Sequence, residues 1–188
     1  VYSSDKGGKL LQLWVRDMAS GQERQLTSLT TQPQGASWSN DGTRIAFFDV
    51  DGMWRRAQIS VVDVASGQVT KIHDAIFSPG NTTWSPDGAR VAVAMVSSYS
   101  TRFREGTNQV LTMSSRGGDD TWFVPDANLS IDSRGGGGIA WSPDGTKMAA
   151  IYEGLLKVWP VAKNGEPLGP PRRVTTEMAH SPSWAGDS

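Results

Sequence analysis

One segment recurs along this chain and constrains the fold more than any other feature. It reads Ser37-Trp38-Ser39-Asn40-Asp41-Gly42-Thr43-Arg44-Ile45-Ala46-Phe47, then Thr83-Trp84-Ser85-Pro86-Asp87-Gly88-Ala89-Arg90-Val91-Ala92-Val93, then Ala140-Trp141-Ser142-Pro143-Asp144-Gly145-Thr146-Lys147-Met148-Ala149-Ala150. A fourth, degenerate copy opens at Ser183-Trp184-Ala185-Gly186-Asp187-Ser188. A repeat of this kind is one supersecondary unit that buries its apolar faces only against its neighbours. The tryptophans stand 46, 57 and 43 residues apart, room for four short strands per unit.

The motif has the chemistry of a tight turn between two strands. Proline supplies φ near −65°, aspartate accepts from nearby backbone, and glycine releases the turn. Arg-Ile-Ala-Phe or Arg-Val-Ala-Val then enters a packed layer. A second element follows each copy. Gln58 to Val64 leads through Ala65-Ser66-Gly67-Gln68 into Val69 to Ile72, with counterparts at Leu13 to Thr27, Gln109 to Val124 and Leu155 to Thr175. Each is a hairpin with glycine in its turn. Every unit therefore reads as strands a, b, c and d, the size of a propeller blade. With 21 Gly and 10 Pro and no helical periodicity sustained over three turns, the chain is all-β. The expected architecture is a β-propeller arc of about four four-stranded antiparallel blades. Its segments are about 1–35, 36–80, 81–138 and 139–181, with a further blade starting at 182–188.

Little catalytic chemistry is legible. Without cysteine there is no disulfide, thiolate metal site or cysteine nucleophile. His73 and His180 are too far apart in sequence to form a local metal pair, and His180 reads as a loop histidine with an ordinary hydrogen bond. No Gly-x-Ser-x-Gly elbow occurs. Gly135 to Gly138 precede a strand rather than a helix, so they read as a d–a connection that lets inner strands crowd together. Asp49, Asp51, Asp119 and Asp120 read as solvated turn carboxylates. A net charge of −1 argues against nucleic acid as partner, and no apolar run is long enough to span a bilayer.

Topology singles out one face. In an up-and-down blade the b–c and d–a connections share one side. The b–c loops carry Met53, Trp54, Arg55, Arg56, Tyr99, Arg102, Phe103 and Arg104, while Arg134 and His180 lie on d–a connections. Arginine and aromatic side chains are enriched at binding hot spots, so this is the expected docking face.

The Trp-Ser-Pro-Asp-Gly repeats and the Asp-x-Ala-Ser-Gly-Gln hairpins resemble TolB-like β-propellers over the whole chain. Three stretches, Ser100 to Gln109, Met148 to Ile151 and Ser181 to Ser188, also resemble the propeller portion of two-part amidohydrolases. The resemblance implies a ring of six or more blades, the remainder lying in the same or another chain. It further implies a noncatalytic segment that docks on a metal-dependent catalytic barrel and restricts substrate access. A divalent metal would belong to that barrel, with no cofactor or metal in this segment. The alternative it implies is a protein–protein interaction module without a catalytic partner. TolB-like propellers are often exported, which makes a periplasmic or secreted location the expectation.

Overall fold

The computed structural model describes residues 1–6, 8–51, 56–77, 79–95, 109–132 and 138–186, and every regular element among them is a strand. The first sheet has three strands, β1 (Tyr2–Ser4), β2 (Gln12–Arg16) and β3 (Glu23–Gln25). The second has β4 (Gln32–Trp38), β5 (Arg44–Asp51), β6 (Arg56–Asp63) and β7 (Val69–Phe77). The third has β8 (Thr83–Trp84), β9 (Arg90–Met95), β10 (Gln109–Ser114) and β11 (Asp120–Phe123). The fourth has β12 (Ile139–Trp141), β13 (Lys147–Tyr152), β14 (Leu155–Pro160) and β15 (Arg172–Arg173). Within each sheet, spatial order equals chain order and every pair is antiparallel, so each is a meander of local connections.

The repeated turn closes by the same hydrogen bonds each time. In the first copy the Ser39 hydroxyl donates to Asp41 Oδ1 at 2.6 Å, and the Arg44 amide donates to Ser39 Oγ at 3.0 Å. The Thr43 amide donates to Asp41 Oδ1, also at 3.0 Å. Ser85 with Asp87, and Ser142 with Asp144, repeat this pattern. The serines are buried, and they answer backbone donors that would otherwise be lost under the strands. Asn40 replaces the turn proline without disturbing the pattern. Gly42, Gly88 and Gly145 hold φ of 69°, 65° and 75°, a region costly for any residue with a Cβ.

The core lies between sheets, and alternation along the b strands builds it. On β5, Ile45 and Phe47 face the first sheet with Leu13 and Leu26, while Ala46 faces the third. On β9, Val91, Val93 and Met95 face the second sheet, and Ala92 and Ala94 face the fourth, where Trp141, Tyr152 and Trp159 fill the space. Large residues thus meet small ones across each junction, as close packing requires. Full burial of a side chain such as Phe47 contributes about 1.5–3 kcal/mol.

One expectation needs correction. Asp49 is not a solvated turn carboxylate; it lies within β5, opposite Gln58, and is buried. Asp119 and Asp120 are exposed but engaged: Arg90 meets Asp119 at 2.9 Å, and His73 Nδ1 meets Asp120 at 3.1 Å across the junction of the second and third sheets. Among the described residues no helix is long and apolar enough to cross a membrane.

Candidate functional site

The inner strands β4, β8 and β12, with residues 181–186, converge on a cleft of about 850 Å³. Tryptophan side chains tie these walls together. Trp84 Nε1 donates to the Ser37 carbonyl at 3.1 Å, and Trp184 Nε1 donates to the Ala140 carbonyl at 3.0 Å. In both cases the acceptor is the residue just before the preceding repeat tryptophan. Trp141 departs from this: its indole donates to Gly145 within its own turn, and its amide donates to Thr83 Oγ1 at 3.2 Å. Trp84 and Trp141 are buried between sheets as wedges. Trp38 is 41% exposed, because the first sheet has no inner strand among the described residues to cover it.

Hydroxyl groups and close backbone contacts stiffen the cleft. Thr82 Oγ1 lies 2.7 Å from Ser37 Oγ and 3.1 Å from the Gly35 carbonyl. Gly138 pairs in parallel with Asn81, and a Cβ there would stand 3.1 Å from the Asn81 nitrogen. This is the crowding expected of the glycine run, seen at its last member.

An arginine bridge that sequence reading missed spans the second and third sheets. Arg44 donates to Ser115 Oγ and to the Gly88 carbonyl, both at 2.9 Å, and its guanidinium lies 4.9 Å from the centre of the Trp84 ring. The signal was present in the repeat, as basic residues at positions 44, 90 and 147, but not the identity of the partners. The turn carboxylates are strongly acidic. The Ser39 hydroxyl, followed by the Thr43 amide and hydroxyl, holds Asp41 at about 2, and the Ser142 hydroxyl with Thr146 does the same for Asp144. Asp87 is lowered, chiefly by the Ser85 hydroxyl.

Trp54, Arg55, Tyr99, Arg102, Phe103, Arg104 and Arg134 lie outside the described residues. Arg56 opens β6, opposite Asp51. His180 lies on the connection after β15 and is exposed, and it makes no hydrogen bond to a described residue. Antiparallel order puts that connection and the β13–β14 turn on the side opposite the Pro-Asp-Gly turns. The β13–β14 turn is a tight pair, Glu153 and Gly154, both with positive φ, and the Ala179 amide donates to Gly154 at 2.8 Å. Among the described residues no three His, Asp or Glu side chains stand close enough to hold a metal.

Successive four-stranded meanders packed face to face, with their first strands lining a common cleft, define a β-propeller; the chain forms an arc of one. Solved structures with this fold include TolB from Acinetobacter baumannii, with TM-score 0.64 and 21% identity over 93% of this chain and 40% of that one. The putative TolB from Agrobacterium tumefaciens gives TM-score 0.68 and 16% identity over 98% of this chain and 65% of that one. A chain of the Mitotic Checkpoint Complex gives 0.59 and 15%, covering 89% and 45%. At such identities the likeness establishes the fold. The chain spans less than two thirds of the length of either TolB structure. No protein-family model and no curated protein matches the sequence.

Proposed function

We propose that this chain is a noncatalytic interaction module that docks a protein partner through the face bearing its b–c and d–a connections. The asymmetry of the two faces carries this reading. On one side the connections are short turns closed by their own hydrogen bonds, as at Ser39 to Arg44 and at Asp63, which accepts from the Ser66 amide at 2.8 Å, apart from the longer stretch between Pro160 and Arg172. On the other side the connections are mostly longer, and there the sequence concentrates arginine with tryptophan, tyrosine and phenylalanine. Arginine's planar fork makes paired bonds that hold orientation, and the aromatic rings supply apolar contact around it. Likeness to TolB and to a chain of a multiprotein complex supports a protein as partner. Fold alone does not assign the partner.

A finer reading makes the partner a metal-dependent barrel of amidohydrolase type, with the propeller limiting substrate entry. It rests on the sequence resemblance at Ser100 to Gln109, Met148 to Ile151 and Ser181 to Ser188. Any divalent metal belongs to the barrel in that reading, and further blades complete the ring.

The test uses the full-length protein. A photoreactive phenylalanine analogue is placed at Arg104 and His180 on one face, and at Met18 and Ser66 on the other. Crosslinks from the first pair to one defined polypeptide, or to a second domain of the same chain, are expected, with none from the second pair. The double substitution Arg102→Ala and Arg104→Ala should leave far-UV circular dichroism unchanged and weaken that crosslink. Equal crosslinking from both faces, or from neither, overturns the proposal.

A further inference from the structure

We propose that the cleft between the inner strands binds a neutral, hydroxyl-rich ligand, a saccharide segment, independently of any partner on the loop face. Its volume of about 850 Å³ suits a short oligosaccharide and lies within the usual range of ligand sites. Among the described residues, none of the lining side chains is charged; the wall consists of indole, hydroxyl, carboxamide, proline and small apolar groups. An ionic ligand entering it would lose hydration and find no counter-charge among the described residues. A neutral one does not incur that cost.

The lining also offers the two surfaces a sugar ring presents to a protein. Trp38, 41% exposed, and the half-buried Trp184 line the cleft, and an indole face suits the C–H face of a pyranose. Ser181, Ser183 and Trp38 line the same space, and their hydroxyl and indole N–H groups make no hydrogen bond to a described residue, which makes them the groups to meet ligand hydroxyls. The other wall hydroxyls are committed: Thr82 Oγ1 to Ser37 and Gly35, and Thr83 Oγ1 to the Trp141 amide. The wall is therefore preorganised, with only a few groups left to choose a ligand. An extended peptide would pair with inner-strand edges instead, but Asn81 and Gly138 already pair with each other across the cleft.

The probes are the neutral hexasaccharides of glucose in α-1,4 and β-1,4 linkage, of N-acetylglucosamine and of xylose. The acidic hexamer of galacturonate and an uncharged Ser/Ala/Gly nonapeptide serve as counter-probes. Titration calorimetry on the purified protein is expected to show binding of at least one neutral hexasaccharide. Trp38→Ala and Ser183→Asp should each weaken it at least tenfold, while Trp122→Ala, an exposed indole on the outer strand β11, should leave it within twofold. Both cleft positions are at the surface, so far-UV circular dichroism should stay unchanged. Failure of every neutral saccharide, equal or tighter binding of the acidic hexamer, binding of the nonapeptide alone, or binding undiminished by both cleft variants overturns the proposal. The loop-face crosslinks are read separately, so either proposal can fail without the other.

Discussion

Replacing Trp84 tests the claim that the repeat tryptophans hold neighbouring blades together. Trp84 is 4% exposed, packs in the cluster shared by the second and third sheets, donates to Ser37 across the junction, and carries the Arg44 guanidinium on its ring. Truncating a buried tryptophan costs about 3–5 kcal/mol. The orphaned carbonyl and the lost cation–π contact place Trp84→Ala at about 5 kcal/mol. That is a large share of the roughly 5–15 kcal/mol that stabilises a domain. Trp84→Phe keeps most of the packing and loses the indole bond, so about 1–2 kcal/mol is expected. Trp38→Ala removes a side chain that is already 41% exposed, and should cost a similar 1–2 kcal/mol, roughly. Urea titration followed by far-UV circular dichroism separates Trp84→Ala from the other two. With a slope of about 2 kcal/mol per molar, Trp84→Ala should move the midpoint down by about 2.5 M. If it costs no more than Trp38→Ala, the tryptophans are not wedges and the argument from junction packing fails.

Arg44→Lys cannot reproduce the fork to Ser115 and Gly88, and about 1–2 kcal/mol of stability should be lost; an unchanged melting temperature would show that the bridge is idle. Gly42→Ala and Gly165→Ala both place a Cβ at positive φ, but the first meets open space while the second meets Thr112 Cγ2 at 2.6 Å. The first should cost about 1 kcal/mol and the second about 2–4 kcal/mol, so equal melting temperatures would contradict the packing of that hairpin on the third sheet. Asp41 and Asp144 sit at about 2 when folded, below the roughly 3.9 of an unfolded aspartate. The unfolded chain therefore binds more protons between those values. The contribution of these turns is complete above about pH 4–5 and is lost as the pH falls toward 2. Urea midpoints at pH 5 and pH 3 should draw together in the double variant Asp41→Asn and Asp144→Asn; an unaltered difference would place the acid sensitivity elsewhere.

The sequence by itself determined the repeat unit and the chemistry of its turns. Ser39, Asp41 and Arg44, like Ser85, Asp87 and Arg90, complete their hydrogen bonds within five residues, so the pattern that makes the turn lies whole in one short window. Strand order was equally legible, since each strand pairs with its neighbour in the chain. Period-two alternation marks the b strands, yet it does not say which face meets which sheet. Only the packing of one sheet on the next buried Trp84 while leaving Trp38 partly open. Arg44 finds Ser115 at a separation of 71 residues, and nothing near either one in sequence names the other. The cleft belongs to the same class: its walls come from four segments, each ordinary alone, whose polar groups became committed or free only once the inner strands converged. Local hydrogen bonds are written in local sequence. Contacts between blades depend on the distance and twist between sheets, and those arise only when every junction packs at once.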